Sequence, residues 1–312
     1  MAPNTSNQST SKPTNKRALS ATAFATLLLI ALMMGANHVA ARFAFNNGVD
    51  VATAVVVRSS ITALVVAAIL FIQHVPLVLT AQHKRFLPLI GLLIGAQSLC
   101  LYSAVARLPV ALALLAFNTY PLFTALWDRV LYKRKPDRAV LFTMPVILFG
   151  LALALDVLGA ASGLGASGHW SKIGTGVAFA LAAGATFGLA LVLTQHGTAG
   201  LDGRVRTVST LSIAAIVAFA SASFQSGLHF PTASAGWWGL AALTFLYGTA
   251  FTIMFTVLPK LGVAGNSAIM NVEPVFALVL AWLLLGQTIA AIQVIGAIIV
   301  VAAVMTLGLR KK

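Results

Sequence analysis

Residues 107–123 read RLPVALALLAFNTYPLF, and residues 260–276 read KLGVAGNSAIMNVEPVF. At a constant offset of 153 positions, Arg107 meets Lys260, Leu108 meets Leu261, and Val110-Ala111 meets Val263-Ala264. Asn118, Pro121 and Phe123 meet Asn271, Pro274 and Phe276. Leu/Ala bias alone rarely reproduces Asn-x-x-Pro-x-Phe at one offset, so the chain reads as an internal duplication. A weaker match sets Gly35-Ala36 against Gly184-Ala185.

Both copies lie within long apolar runs. Hydrophobic residues make up 59% of the chain and charged residues 8%, against about 25% charged in an ordinary globular protein. A soluble domain of 312 residues has no core large enough for that apolar surface, whereas a chain dissolved in lipid has no need to hide it. A spanning helix takes about 20 apolar residues. Runs of that kind fall near 19–41, 51–72, 87–106, 110–131, 139–158, 173–195, 207–228, 236–258, 263–285 and 289–309. The fold class is therefore all-α integral membrane, with ten transmembrane helices.

Ten spans divide into a first repeat over 19–158 and a second over 173–309, joined by a Gly/Ser-rich linker at 159–172. Five is odd, so the second repeat must enter the bilayer from the opposite side. The loops agree: the segment after the fourth span carries KRKPDR, while its counterpart after the ninth reads GQTIAA and carries no charge. Two inverted five-helix repeats are expected, an architecture that places a site near the bilayer midplane.

The net charge of +14 points to no nucleic-acid partner, because the basic residues sit in clusters at span ends. With the N-terminus inside, sixteen of the 20 Lys and Arg residues fall on the inner side, three on the outer, and Arg58 within a span. That asymmetry places both termini in the cytoplasm and the protein in the inner (plasma) membrane. Residues 1–18 are polar and free of acids, and are expected to form a disordered cytoplasmic tail. The lone Cys100 excludes a disulfide framework. Residues 163–168, GLGASG, match a dinucleotide-binding glycine pattern, but they follow an apolar span and no acid stands about 20 residues on. No cofactor is expected, and no histidines stand at metal-ligand spacing.

The stretch SAIMNVEPVFALVLAWLLLGQTIAAIQVIGAIIVVAAVM at 267–305, with GANHVAAR at 35–42 and Arg58 early in the second span, resembles the EamA-type branch of the drug/metabolite transporter superfamily. The resemblance covers about residues 20 to 309. It implies a ten-helix transporter, usually an exporter, of small metabolites, amino acids or drug-like compounds. This chain departs from the family pattern at Gln287, where a Glu usually follows Gly286; at Lys133-Arg134, the first-half counterpart; and at Met34, where a Trp is common.

Six residues are candidates for a substrate site. Glu273 is the only acid deep within a span; a charge there costs about 2.5–3.5 kcal/mol, and it can bind an amine, carry a proton, or pair with an arginine. Pro274 and Pro121 are expected to kink their helices. Asn271 and Asn118 occupy matched positions, and serve either a cavity or helix–helix contact. Tyr120 stands where Glu273 stands in the other copy, so a shared site is asymmetric. Arg58 can clamp an anionic group, pair with Glu273, or snorkel outward. His38 can titrate near neutral pH or serve structurally. Trp127, Trp237, Trp238 and Trp282 fit interfacial positions. Gly91-x-x-x-Gly95 and Gly184-x-x-x-Gly188 allow close helix packing.

The expected activity is secondary transport of a small molecule by alternating access, with proton coupling open and no catalytic residues. A polytopic membrane enzyme would need acids or histidines clustered at one face, and the six acids are spread at Asp50, Asp128, Asp137, Asp156, Asp202 and Glu273. A lipid-carrier flippase of the same superfamily would need a lateral opening between spans. Monomer and homodimer are both compatible with the chain.

Overall fold

The computed structural model describes residues 21–134, 138–156, 165–225, 227–256, 272–288 and 290–310. Eleven helices and no strands are found among them: α1 (Ala21–Asn46), α2 (Val51–Ile72), α3 (Ala81–Arg107), α4 (Val110–Phe117), α5 (Tyr120–Tyr132), α6 (Arg138–Ala154), α7 (Gly165–Gly197), α8 (Gly203–Ser223), α9 (Ser234–Thr256), α10 (Glu273–Leu285) and α11 (Ala291–Arg310). Seven helical runs are long and apolar enough to cross a bilayer, with α4 and α5 together forming one of them. The shorter apolar helices α6, α10 and α11 fall at the expected fifth, ninth and tenth spans. The 1–18 tail, residues 159–164 of the expected linker, and Asn271 lie outside the described residues.

Local chemistry sets several helix starts. The Asp50 side chain accepts from the Thr53 amide at the start of α2. Thr80 and His83 form a reciprocal cap on α3, and Asp202 accepts from the Arg204 amide at the start of α8. Such caps satisfy amides that have no partner within the helix. The side-chain distribution is that of a protein in lipid. Leu64, Phe71, Phe245 and Trp238 are exposed, whereas Asn37, His38, Arg58 and Ser59 are buried.

The fourth span breaks in its middle. Pro121 has no N–H to give the Phe117 carbonyl one turn back, and the chain passes through Asn118 and Thr119 at φ −65° and −72°, ψ 0° and −6°. Helix α10 starts in the same way: Val272 has φ −79° and ψ −4°, with Pro274 next after Glu273. Helices α5 and α10 each run 13 residues and each end on a left-handed residue, Lys133 at φ 54° and Gly286 at φ 63°. All these landmarks keep the offset of 153.

Packing repeats the duplication. Helix α3 lies on α7 and α1 on α9; α3 lies on α8 and α2 on α9; α5 lies on α7 and α1 on α10. Each of these pairs becomes its partner pair when the two halves are exchanged. The contacts of α2 with α8 and of α6 with α11 map onto themselves.

Two expectations change. The Gly35 counterpart is Gly188, not Gly184. A Cβ on Gly35 would stand 3.1 Å from the Ala277 nitrogen and 3.3 Å from the Phe276 Cβ; one on Gly188 would stand 2.8 Å from the Thr124 nitrogen and 3.0 Å from the Phe123 Cβ. Those contacts are again 153 apart. The linker begins to fold early: α7 starts at Gly165, and the His169 ring bonds the Leu155 carbonyl at 2.9 Å. The Trp127 Nε1 donates to the Ala185 carbonyl at 3.0 Å, tying α5 to α7. The Gly91/Gly95 pair behaves as expected, receiving Ile213 and Val217 of α8.

Gly188→Ala should lower the thermal unfolding midpoint in detergent by several degrees, because α5 must shift; overpacking of this kind costs about 1–3 kcal/mol. Gly174→Ala, whose nearest new neighbour is 3.6 Å away, should not lower it. Equal midpoints for Gly188→Ala and the parent would refute the close approach.

Candidate functional site

Close backbone approach builds the site. Gly35 lets α1 pass 3.0 Å (counted from an added Cβ) from the Glu273 carbonyl. His38, three residues on, shares that face of α1. Its Nε2 lies 3.2 Å from Glu273 Oε1. His38 is buried, while the Glu273 side chain keeps 20% of its exposure. Glu273 opens α10, where free amides favour a negative charge.

A second group adjoins this pair. The Tyr102 hydroxyl of α3 donates to Asn37 Oδ1 at 3.0 Å. Its ring meets the His38 ring edge-on, with centroids 5.7 Å apart. The Arg58 guanidinium of α2 lies between two phenol rings, 4.3 Å from the Tyr102 centroid and 4.1 Å from that of Tyr247 on α9. Arg58 is 3% exposed, so it does not snorkel. Among the described residues no carboxylate lies within 4.0 Å of it, so Glu273 is paired with His38 and not with Arg58. The Asn37 Nδ2, His38 Nδ1, Arg58 Nε, Ser59 Oγ and Thr62 Oγ1 atoms are buried without hydrogen-bond partners.

The first-half counterpart is aromatic. Tyr120 opens α5 as Glu273 opens α10, and its ring packs on Phe117 and Phe187 at 5.5 and 5.1 Å. Tyr120 stays within electrostatic reach of Glu273. Asn118 is buried at the helix break. The structure thus joins Glu273 to His38, and Arg58 to the same cluster through Tyr102.

Tyr102, Tyr247 and Asn37 were not among the sequence candidates. A signal existed: the chain has only four tyrosines, three of them inside spans, and a buried phenol needs a hydrogen-bond partner. Which partner each finds depends on helices distant in sequence. Gln287, where relatives usually carry Glu, accepts a hydrogen bond from the Val110 amide at 3.0 Å and caps α4. That is a helix-capping role, and an amide serves it as well as an acid does. Among the described residues no cluster of His, Cys, Asp and Glu is suited to a metal ion.

One further opening lies between α2 and α9. It is a cavity of about 660 Å³, open to the side and almost wholly apolar. Ile61, Val65, Trp237 and Phe245 line it, with Thr62 on its wall.

The curated relatives include the threonine/homoserine exporter RhtA of Salmonella typhimurium and of Escherichia coli. Each is 28% identical over 239 residues, which cover 74% of this chain and 75% of the relative. A solved crystal structure aligns over 93% of this chain and 99% of its own, with a TM-score of 0.59 and 19% identity, a likeness of fold. Residues 21–155 and residues 174–309 each match the EamA-like transporter family. The chain therefore belongs to the EamA-like transporter family, within the drug/metabolite transporter superfamily.

Proposed function

We propose that this protein exports small, amino-acid-like metabolites across the cytoplasmic membrane by alternating access. The observation that carries the reading is the His38–Glu273 contact of 3.2 Å, at the start of α10. A partly accessible acid within a span is costly unless it serves a ligand or a proton. Here it faces the one buried imidazole that can share a proton with it. The relatives' substrates, threonine and homoserine, supply the amino-acid class.

Two inverted five-helix bundles would rock against each other about this centre, with both termini in the cytoplasm. The interchangeable helix pairings support that arrangement, and so does the 16-to-3 split of basic residues between the two sides. In this reading Glu273 binds the substrate ammonium when deprotonated and releases it when protonated, with His38 holding the proton in between. Export would then be exchanged for a proton. The family is one of transporters, and no step here calls for a catalytic residue.

A second reading, a carrier for lipid-like molecules, is favoured by the lateral cavity between α2 and α9. A single experiment separates the two. Inside-out vesicles are loaded from a metabolite mixture containing threonine and homoserine, with and without an acidic interior. Uptake of soluble amino acids, raised by the acidic interior and lowered about tenfold or more by Glu273→Gln, is expected. Accumulation of lipid-linked compounds alone would support the second reading. No gradient dependence, together with full activity of Glu273→Gln, would remove the acid from the mechanism. In the same cells a reporter fused after Lys312 should be active only in its cytoplasmic form; activity of a periplasmic reporter there would overturn the orientation.

A further inference from the structure

We propose that Arg58, clamped between Tyr102 and Tyr247, forms a carboxylate-binding subsite, so that the transported molecule is a zwitterion held by its ammonium at Glu273 and its carboxylate at Arg58. The inference rests on the export reading above and adds the second half of the recognition.

Several polar atoms around Arg58 can donate a hydrogen bond and have no partner. Arg58 Nε, Asn37 Nδ2, Ser59 Oγ and Thr62 Oγ1 are buried and unpartnered, and each can donate. The cluster's acid, Glu273, faces His38. Arg58 is left as a cation buried to 97% of its surface, with two phenol faces and no counter-ion among the described residues. Aromatic faces offset part of the cost of burying a guanidinium, but they stack on its plane and leave the Nε–H without an acceptor. A guanidinium edge that includes Nε matches the geometry of a carboxylate, which can accept two parallel hydrogen bonds.

Charge selects the ligand further. One free cation beside one acid suits a molecule with one negative and one positive group. A phosphate dianion would bring excess negative charge next to Glu273, and a simple amine would leave Arg58 uncompensated. Stacking between two rings also holds the guanidinium plane fixed, so little side-chain freedom is lost when the ligand arrives.

The test uses inside-out vesicles containing the full chain, with labelled L-threonine as the probe and L-threoninamide as its matched analogue lacking the carboxylate. With the wild-type protein, unlabelled L-threonine should compete fully and L-threoninamide about 30-fold less well, the loss typical of leaving one partner of a buried charged pair unmatched. Arg58→Gln should raise the KM for L-threonine by a similar factor, and Arg58→Lys, which keeps the charge but not the fork, by less. The competition arm needs no variant, so a misfolded Arg58→Gln protein leaves the test decisive. Equal competition by acid and amide would overturn the subsite, as would an unchanged KM in Arg58→Gln. Transport confined to uncharged or cationic compounds in the metabolite mixture would overturn it too, with the export reading intact. Vesicles that take up nothing at all would reject the export reading, and this one with it.

Discussion

A helix in hydrocarbon has no water to satisfy a free backbone carbonyl, so every break in it needs a local answer. Pro121 imposes one such break, and Pro274 stands at the same place in the other half. At the first, Gly184 lets α7 lie beside the freed Phe117 carbonyl, 3.2 Å from where a Cβ would stand. The Thr119 hydroxyl answers the Ala116 carbonyl at 2.7 Å. The break turns one span into two pieces with different surroundings. Every residue of α4 from Val110 to Ala116 is at most 4% exposed, while on α5 only Leu122 is buried. A buried half-helix and a half-helix at the surface can respond differently to the same motion, which an unbroken rod cannot.

The second constraint is distance of approach. Gly35 on α1 and Gly188 on α7 admit the backbones of α10 and α5 to contact that any larger residue would prevent. In lipid, helices gain little from hiding apolar surface from one another, so small residues that allow close packing do much of the work of association. The same closeness delivers His38 to Glu273. Tertiary contact and site are therefore one feature: the glycine that packs the helices also brings an imidazole to a carboxylate.

The polar interior is costly to stability. Leaving a buried donor or acceptor unmatched costs about 1–3 kcal/mol, and five side-chain atoms in one cluster are in that state. A protein selected for stability alone would carry Leu or Val at Arg58 or Asn37. Helix α8 carries no such charge at the corresponding position: Leu211, at the offset of 153 from Arg58, is a fully buried apolar residue. The asymmetry of the site arises in the same way, with Tyr120 in one half where Glu273 stands in the other.

Much was settled by the chain's own pattern. Apolar runs of spanning length, the offset of 153 and the Asn-x-x-Pro repeat follow from one-dimensional periodicity, because lipid demands apolar length and proline removes a donor wherever it stands. Glu273 and Arg58 could be singled out for the same reason: a charge within a span is expensive in any fold. Their partners could not. Whether Arg58 would snorkel, pair with Glu273 or stack depended on where α3 and α9 come to rest, and Tyr102 and Tyr247 lie 44 and 189 residues away from it. The Gly35–Gly188 equivalence and the capping of α4 by Gln287 were likewise decided by packing. Contacts between helices are set by which backbones can approach, and that is a property of the assembled bundle, not of any one span.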